Sequence, residues 1–159
     1  MLYSAGYYSH WLYRISAHPR RNPDRRQEMA CPYTVLCVDD EALGLQIRKA
    51  LLEVAGYKVL TALDGKTALV LFEDNTIHAV LLDYLMPEMD GGRVAAAMRT
   101  IKPHVPILLH SACVDLPQET VEIVDATLPK GEGPETLISR LQLLIVASHS
   151  PMGSIREPS

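Results

Sequence analysis

The sequence predicts an α/β protein with a doubly wound, five-stranded parallel sheet. From residue 34 onward, short apolar runs of strand length alternate with longer stretches of helical periodicity. The runs at 35–38 and 80–82 end abruptly in acidic residues, which is typical of strands that are buried on both faces and stop at a ligand-binding edge. Strict alternation of strands and helices favours right-handed crossovers with helices on both faces of the sheet.

The first helix is predicted for residues 42–55, between strands at 34–38 and 57–62. Gly56 is the expected helix stop because glycine readily adopts the left-handed conformation that ends helices. The apolar periodicity assigns the buried face of this helix to Leu43, Ile47, Leu51 and Val54.

The next two helices flank a third strand at 79–82. Asp64 suits the N-terminal cap of a helix that continues through Phe72, because its carboxylate can accept hydrogen bonds from the first turn. A third helix is expected from about residue 92 to 101, and Pro103 follows its end. The inward positions of these two helices are Ala68, Leu69, Phe72, Val94, Ala97, Met98 and Ile101.

The remaining elements are predicted as strands at 106–110 and 126–129 and helices at 117–124 and 134–147. Pro134 suits the first position of the last helix, where its missing amide is not needed. The buried stripe of that helix is expected to be Leu137, Leu141 and Leu144.

The two ends of the chain differ from this alternating region. Residues 1–28 carry five arginines against two acids, a balance of +3, which leaves −7 for the rest of a chain whose net charge is −4. We expect a disordered extension over 1–32, a folded domain over 33–147 and a disordered tail over 148–159. Alternatively, the basic leader is a membrane-surface or partner-binding arm, or the natural start is Met29.

Composition disfavours several classes of function. No apolar run approaches the roughly 20 residues that cross a bilayer, so no stable membrane insertion is expected. An acidic body disfavours direct binding of nucleic acid. Cys31, Cys37 and Cys113 lack metal-ligand spacing and suit a reducing compartment, which predicts a cytoplasmic protein.

Polar residues follow the ends of four predicted strands, and they are Asp39, Asp40, Asp83, Ser111 and Lys130. Because the carboxyl ends of parallel strands meet at one edge, these side chains should share a pocket. Each has an ordinary explanation by itself, as a helix cap, a turn residue or a solvated side chain. Three carboxylates in one pocket repel one another, and an oxygen-preferring cation such as Mg²⁺ would relieve that repulsion.

On these motifs the chain resembles the response regulator receiver domain of two-component signalling, over about residues 33–147. The matching motifs are Asp39-Asp40-Glu41, Asp83 with Met86-Pro87-Glu88-Met89-Asp90-Gly91, Ser111-Ala112 and Lys130. The resemblance implies a flavodoxin-like receiver fold with strand order 2-1-3-4-5. It also implies Asp83 as phosphoacceptor, Lys130 and Ser111 as its catalytic partners, and a Mg²⁺ site of Asp39, Asp40, Asp83 and the backbone carbonyl of Leu85.

The resemblance further implies a histidine kinase or histidine phosphotransfer protein as phosphoryl donor. Because only the short segment 148–159 follows the last predicted helix, we expect a stand-alone receiver that acts through an unknown downstream protein and is not itself an enzyme. A haloacid-dehalogenase-like phosphohydrolase would need a second aspartate where this chain has Leu85. The alternative is a receiver-like interaction module that acts without phosphorylation.

Three positions depart from the family pattern. Thr127 stands where the family has an aromatic residue, and Gly131 stands where a proline follows the lysine. A cis bond before a residue other than proline costs about 2.5–4 kcal/mol, so a trans peptide between Lys130 and Gly131 is expected. Pro129 cannot donate to a strand ladder, which indicates an edge strand. Because these residues lie on the surface that serves partners in the family, partner identity does not carry over.

Overall fold

The computed structural model describes residues 33–113 and 115–149, which contain a parallel sheet in the order β2-β1-β3-β4-β5. The strands are β1 (Thr34–Val38), β2 (Lys58–Ala62), β3 (Ala79–Leu82), β4 (Ile107–Ser111) and β5 (Ala126–Pro129). The helices are α1 (Ala42–Val54), α2 (Gly65–Asp74), α3 (Gly91–Ile101), α4 (Gln118–Ile123) and α5 (Pro134–His149). The predicted doubly wound α/β fold and its strand order are confirmed.

Alternation along the inner strands divides the core between the two faces of the sheet. One face joins Leu36, Val80 and Leu109 to Phe72 of α2 and Met98 of α3. The intervening strand residues, including Val35, Cys37, Leu81 and Leu108, are also buried, and α1 and α5 cover that face. Burial on both faces explains why these strands are almost continuously apolar.

Helix α1 buries a different face from the one that its periodicity predicts. Its buried residues are Leu45, Leu51 and Leu52. Leu43, Ile47 and Val54, which were expected to be inward, are exposed by 70%, 38% and 49%. The prediction was wrong for three of its four residues, because the helix carries two apolar sets at helical spacing and Arg48 lies on the buried side.

The helix ends follow the predicted capping. Asp64 accepts a hydrogen bond from the amide of Thr67 at 2.8 Å, and Gly56 has a positive φ of 98° after α1. In α3 the predicted inward Ile101 is 36% exposed, because it is the last residue of the helix, and Ala95 is buried instead. In α5 the fully buried stripe is Leu137, Leu141 and Ile145, whereas the predicted Leu144 is only half-buried.

Two cations at the end of α3 close the loops at the edge where the strands begin. Arg99 donates to the carbonyl oxygens of Ile123 at 2.8 Å and Val105 at 2.7 Å, and it pairs with the carboxylate of Asp125. The ammonium of Lys102 donates to three carbonyls at the end of α2, those of Phe72, Glu73 and Asn75, at 2.6, 3.1 and 2.7 Å. The carbonyls of Phe72, Glu73 and Ile123 belong to the last turns of α2 and α4, where carbonyls have no partner within the helix.

The expectations for residues 1–32 and 150–159 lie outside the described residues, and α5 continues to His149. Over the described ranges, none of the helices has the length and apolar character to cross a membrane. The described peptide bonds are all trans, including the bond between Lys130 and Gly131, as expected. Pro129 lies in β5, which is an edge strand of the sheet, as its missing amide predicts.

Candidate functional site

The two inner strands deliver their carboxylates to one edge of the sheet. Asp39 follows β1 and Asp83 follows β3, and the amide of Asp83 donates to the carbonyl of Val38 at 2.9 Å. Oxygen atoms of Asp39, Asp40 and Asp83 lie within 4.8 Å of one another. We call these three residues the carboxylate cluster. Asp39 and Asp83 are 2% and 5% exposed, and Asp40 is exposed to solvent.

Lys130 joins the two buried members of the carboxylate cluster. Its ammonium lies 2.9 Å from Oδ2 of Asp39 and 3.1 Å from Oδ2 of Asp83. The amide of Lys130 donates to the carbonyl of Ser111 at 3.0 Å, which fixes the lysine at the end of β5 beside β4. The structure therefore brings together Asp39, Asp40, Asp83 and Lys130, as the sequence predicts.

Arg48 is a member of this site that the sequence analysis missed. It projects from α1, its guanidinium pairs with Oδ2 of Asp39, and its side chain is 14% exposed. Arg48 falls three residues after Leu45 and four before Leu52, so it lies on the same face of α1 as these buried residues; the sequence shows the spacing but not which face is buried. A basic residue within a buried stripe needs a partner of opposite charge, and Asp39 supplies it.

Asp83 combines burial with an unused oxygen. Burial raises the pKa of its carboxyl, the ammonium of Lys130 opposes that rise, and the negative charge of Asp39 adds to it. Its Oδ1 atom is buried and has no hydrogen-bond partner among the described residues. A buried carboxylate oxygen without a donor is costly, so this atom is free to bind a cation or a reacting group. An oxygen-rich cluster with one open oxygen fits Mg²⁺.

The loop after β3 holds Asp83 through a close contact with Gly91. A Cβ atom on Gly91 would lie 2.4 Å from the carbonyl oxygen of Asp83, so only glycine fits. The amide of Gly91 also donates to the carbonyl of Tyr84 at 2.8 Å. Leu85, next in this loop, has a side chain that is 57% exposed.

Ser111 ends β4 at the same edge of the sheet and is 3% exposed. Its hydroxyl oxygen accepts a hydrogen bond from the amide of Cys113 at 3.0 Å, so it is tied to its own loop. A cavity of about 300 Å³ lies between this loop and β5 and is lined by Ser111, Leu116, Thr127 and Lys130, among others. The small side chain of Thr127 helps to leave this space open.

His110 is a second buried group that the sequence analysis did not single out. It is 7% exposed, and its Nδ1 atom has no hydrogen-bond partner in the described part of the chain. Burial, together with the positive charges of Arg48 and Lys130, lowers the pKa of this imidazole to about 4. The ring is therefore neutral at physiological pH.

The sequence of this chain is similar to one known protein family and to curated members of it. Residues 35–142 match the model of the response regulator receiver domain. Response regulator MprA of Mycobacterium sp. (strain KMS) is 36% identical over 118 residues, which cover 72% of this chain and 51% of the relative. The probable transcriptional regulator ycf27 of Cyanophora paradoxa is 31% identical over 120 residues, covering 74% and 50%. The chain thus spans about half the length of these curated relatives.

Solved structures show the same likeness. Chemotaxis protein CheY4 of Vibrio cholerae superposes with a TM-score of 0.66 at 32% identity, covering 71% of this chain and 98% of that one. Response regulator TrrA of Thermotoga maritima, solved in complex with Mg²⁺ and BeF, has a TM-score of 0.66 at 29% identity and covers 70% and 98%.

Proposed function

The chain belongs to the response regulator receiver family of two-component signalling, and from this we propose that it accepts a phosphoryl group on Asp83. The observation that carries the proposal is the unpartnered, buried Oδ1 of Asp83 beside the ammonium of Lys130 on Oδ2. The donor is a histidine kinase or a histidine phosphotransfer protein, and the signal passes to a downstream protein partner.

The transfer exchanges one bond to phosphorus for another. One carboxylate oxygen of Asp83 forms the new oxygen–phosphorus bond while the other remains available to the metal, and the bond between phosphorus and the donor's imidazole nitrogen breaks, leaving the electron pair on that nitrogen. Lys130 neutralises negative charge on the phosphoryl oxygens. Since charge stabilisation supplies most of the catalysis in this reaction class, Lys130 is the second catalytic residue.

The carboxylate cluster and the backbone carbonyl of Leu85 are the groups that would hold Mg²⁺. When bound, Mg²⁺ supplies positive charge for the phosphoryl oxygens. The oxygen-only donor set and the open Oδ1 support this assignment, and TrrA, a structural relative, was solved with Mg²⁺.

Ser111 is the proposed switch residue. A hydroxyl can donate one hydrogen bond while it still accepts another, so Ser111 can donate to a phosphoryl oxygen and draw the loop after β4 toward Asp83. The cavity beside Thr127 gives that loop room to move. Such a switch requires only a few kcal/mol of difference between two loop positions.

The proposal is tested by incubating the protein with Mg²⁺ and acetyl phosphate or a phosphorylated histidine kinase and measuring intact mass. The wild type should gain one phosphoryl group, and both a metal chelator and Asp83→Asn should prevent the gain. Asp74→Asn is the matched control, because Asp74 is exposed on α2 and the chemical change is the same. Equal phosphate uptake by Asp83→Asn and wild type would contradict the proposal.

A second candidate is a receiver-shaped interaction module that acts without phosphorylation. It is favoured by Thr127, which leaves a cavity beside the loop of Ser111. The same experiment separates the two functions, since a folded wild-type protein that takes up no phosphate with any donor supports the module.

A further inference from the structure

We propose that Arg48 is a resident counter-cation of Asp39 and thereby weakens Mg²⁺ binding at the carboxylate cluster. The inference rests on the proposed function, because it concerns the same carboxylate cluster. It assigns a role to a residue of α1 that the phosphoryl transfer itself does not use.

The hydrogen bonds of Asp39 show that its oxygens are already engaged. Oδ1 accepts from the amide of Glu41 at 2.8 Å. Oδ2 accepts from the ammonium of Lys130 at 2.9 Å and from the guanidinium of Arg48. With three donors on a buried carboxylate, a metal ion that used Asp39 directly would have to displace one of them.

The other two acids are differently placed. Asp40 is exposed, and Oδ1 of Asp83 has no partner among the described residues. These two residues therefore offer oxygens that a cation can take without breaking an existing contact. Arg48 acts on one member of the cluster, since Lys130 is shared between Asp39 and Asp83 whereas Arg48 pairs with Asp39 alone among them.

Charge leads to the same conclusion. The carboxylate cluster contributes three negative charges, and Lys130 and Arg48 neutralise two of them, so one net negative charge attracts the metal. Without Arg48, the net negative charge at the site would be two. Arginine keeps its charge at any ordinary pH, and a largely buried guanidinium is screened little by salt.

A purely structural role explains this arrangement less well. Buried ion pairs are weak contributors to stability, because desolvation offsets the attraction. Lys130 already supplies Asp39 with a cation, and an apolar residue at position 48 would extend the buried stripe of Leu45 and Leu52. Arg48 therefore adds a positive charge where Asp39 does not need a second one.

The test measures Mg²⁺ binding by isothermal titration calorimetry on the unphosphorylated protein. Arg48→Met should bind Mg²⁺ about tenfold more tightly than wild type, because one repelling charge is removed and Asp39 is released. Arg48→Lys, which keeps the charge, should stay close to wild type. Lys49→Met removes the same charge from an exposed neighbouring position on α1 and should change the affinity by less than about twofold.

Coupling between the two residues sharpens the test. Asp39→Asn should weaken Mg²⁺ binding several-fold more in the Arg48→Met background than in wild type, since only there is the negative charge of Asp39 not neutralised by Arg48. Equal or weaker binding by Arg48→Met, or an equal effect of Asp39→Asn in both backgrounds, overturns the proposal. Absence of Mg²⁺ binding in both the wild type and Arg48→Met also overturns it.

If Arg48→Met does not fold, a Mg²⁺ titration of the wild type followed by nuclear magnetic resonance tests the proposal instead. The side-chain NH signals of Arg48 should persist up to Mg²⁺ saturation because Arg48 stays on Asp39, and their loss overturns the proposal. These measurements require no phosphoryl donor. A protein in which Arg48 controls Mg²⁺ affinity while Asp83 takes up no phosphate would refute the proposed function alone.

Discussion

Two pairs of cationic side chains lie at opposite edges of the sheet and bind different kinds of partner. Where the strands begin, Arg99 and Lys102 donate mainly to main-chain carbonyls at the ends of helices and loops. Where the strands end, Arg48 and Lys130 share one oxygen of Asp39, while Oδ1 of Asp83 is left without a donor. Cations that donate to main-chain carbonyls hold elements of the fold together, whereas cations that pair with buried carboxylates set the charge around Asp83.

The largest effect is expected on substitution of Lys130. Lys130→Met should slow phosphoryl uptake by Asp83 about 10²- to 10³-fold, the loss typical of removing one charge-stabilising donor. The pKa of Asp83 should also rise, because burial is then no longer opposed by the ammonium. Time courses of intact mass measure the rate, and Lys66→Met, at an exposed lysine, is the control. A rate within a few-fold of wild type would remove Lys130 from the catalytic role.

Leu85 tests whether an apolar neighbour of Asp83 keeps water away from the acyl phosphate. Its side chain is exposed beside Asp83 and can keep water away from the acyl phosphate without orienting any. Leu85→Asn should therefore accelerate spontaneous loss of the phosphoryl group by roughly 10- to 100-fold, the range that positioning of water commonly supplies. The decay of purified phosphoprotein measures it, and an equal or slower decay in the variant contradicts the argument.

Lys102 tests the opposite edge. Lys102→Met should lower the free energy of unfolding by about 2 kcal/mol, because three carbonyls at the end of α2 lose their donor. Phosphoryl uptake should remain within about twofold of wild type. Denaturant unfolding gives the first quantity, with Lys66→Met again as the control. A defect in uptake larger than the defect in stability would show that the two edges are not separate in role.

His110 gives the smallest effect, and its sign follows from its pKa. Because the pKa is about 4 in the folded protein and 6.5 ordinarily, the unfolded chain binds the proton more readily, so stability falls as pH drops from 6.5 toward 4. Between pH 7.5 and pH 6, the free energy of unfolding of His110→Gln should therefore fall by about 1 kcal/mol less than that of wild type. The lowered pKa of His78 acts in the same direction, so the two proteins must be compared directly.

Unfolding at several pH values checks this prediction, and His104→Gln, at an exposed histidine, is the control. If His110→Gln and wild type lose stability equally over this range, burial and the charges of Arg48 and Lys130 do not lower the pKa of this imidazole.

Sequence alone was sufficient for the sheet and for the convergence of its acids. Strands buried on both faces are continuously apolar, and a carboxylate that follows such a strand must lie at its end, so Asp39 and Asp83 were placed by elementary rules. Lys130 followed from the same rule applied to β5. These inferences depend on local runs and chain order.

The face of α1 could not be predicted in the same way. Leu43, Ile47 and Val54 lie at helical spacing, and so do Leu45 and Leu52, whose side of the helix also carries the charged Arg48. Only the position of Asp39 at the end of β1 shows that the arginine is paired. The same limit applies to His110 and to the open oxygen of Asp83, because the presence or absence of a partner depends on distant parts of the chain.

The contact between Gly91 and the main chain of Asp83 also bears on how the protein can be engineered. The two ends of this loop are held together by the hydrogen bond from the amide of Gly91 to the carbonyl of Tyr84. They lie so close that a Cβ atom on Gly91 would not fit. Its apex, by contrast, carries Glu88, whose side chain is 77% exposed. Extra residues at the apex would extend into solvent at modest entropic cost, so a peptide tag or reporter inserted there should leave Asp83 in place.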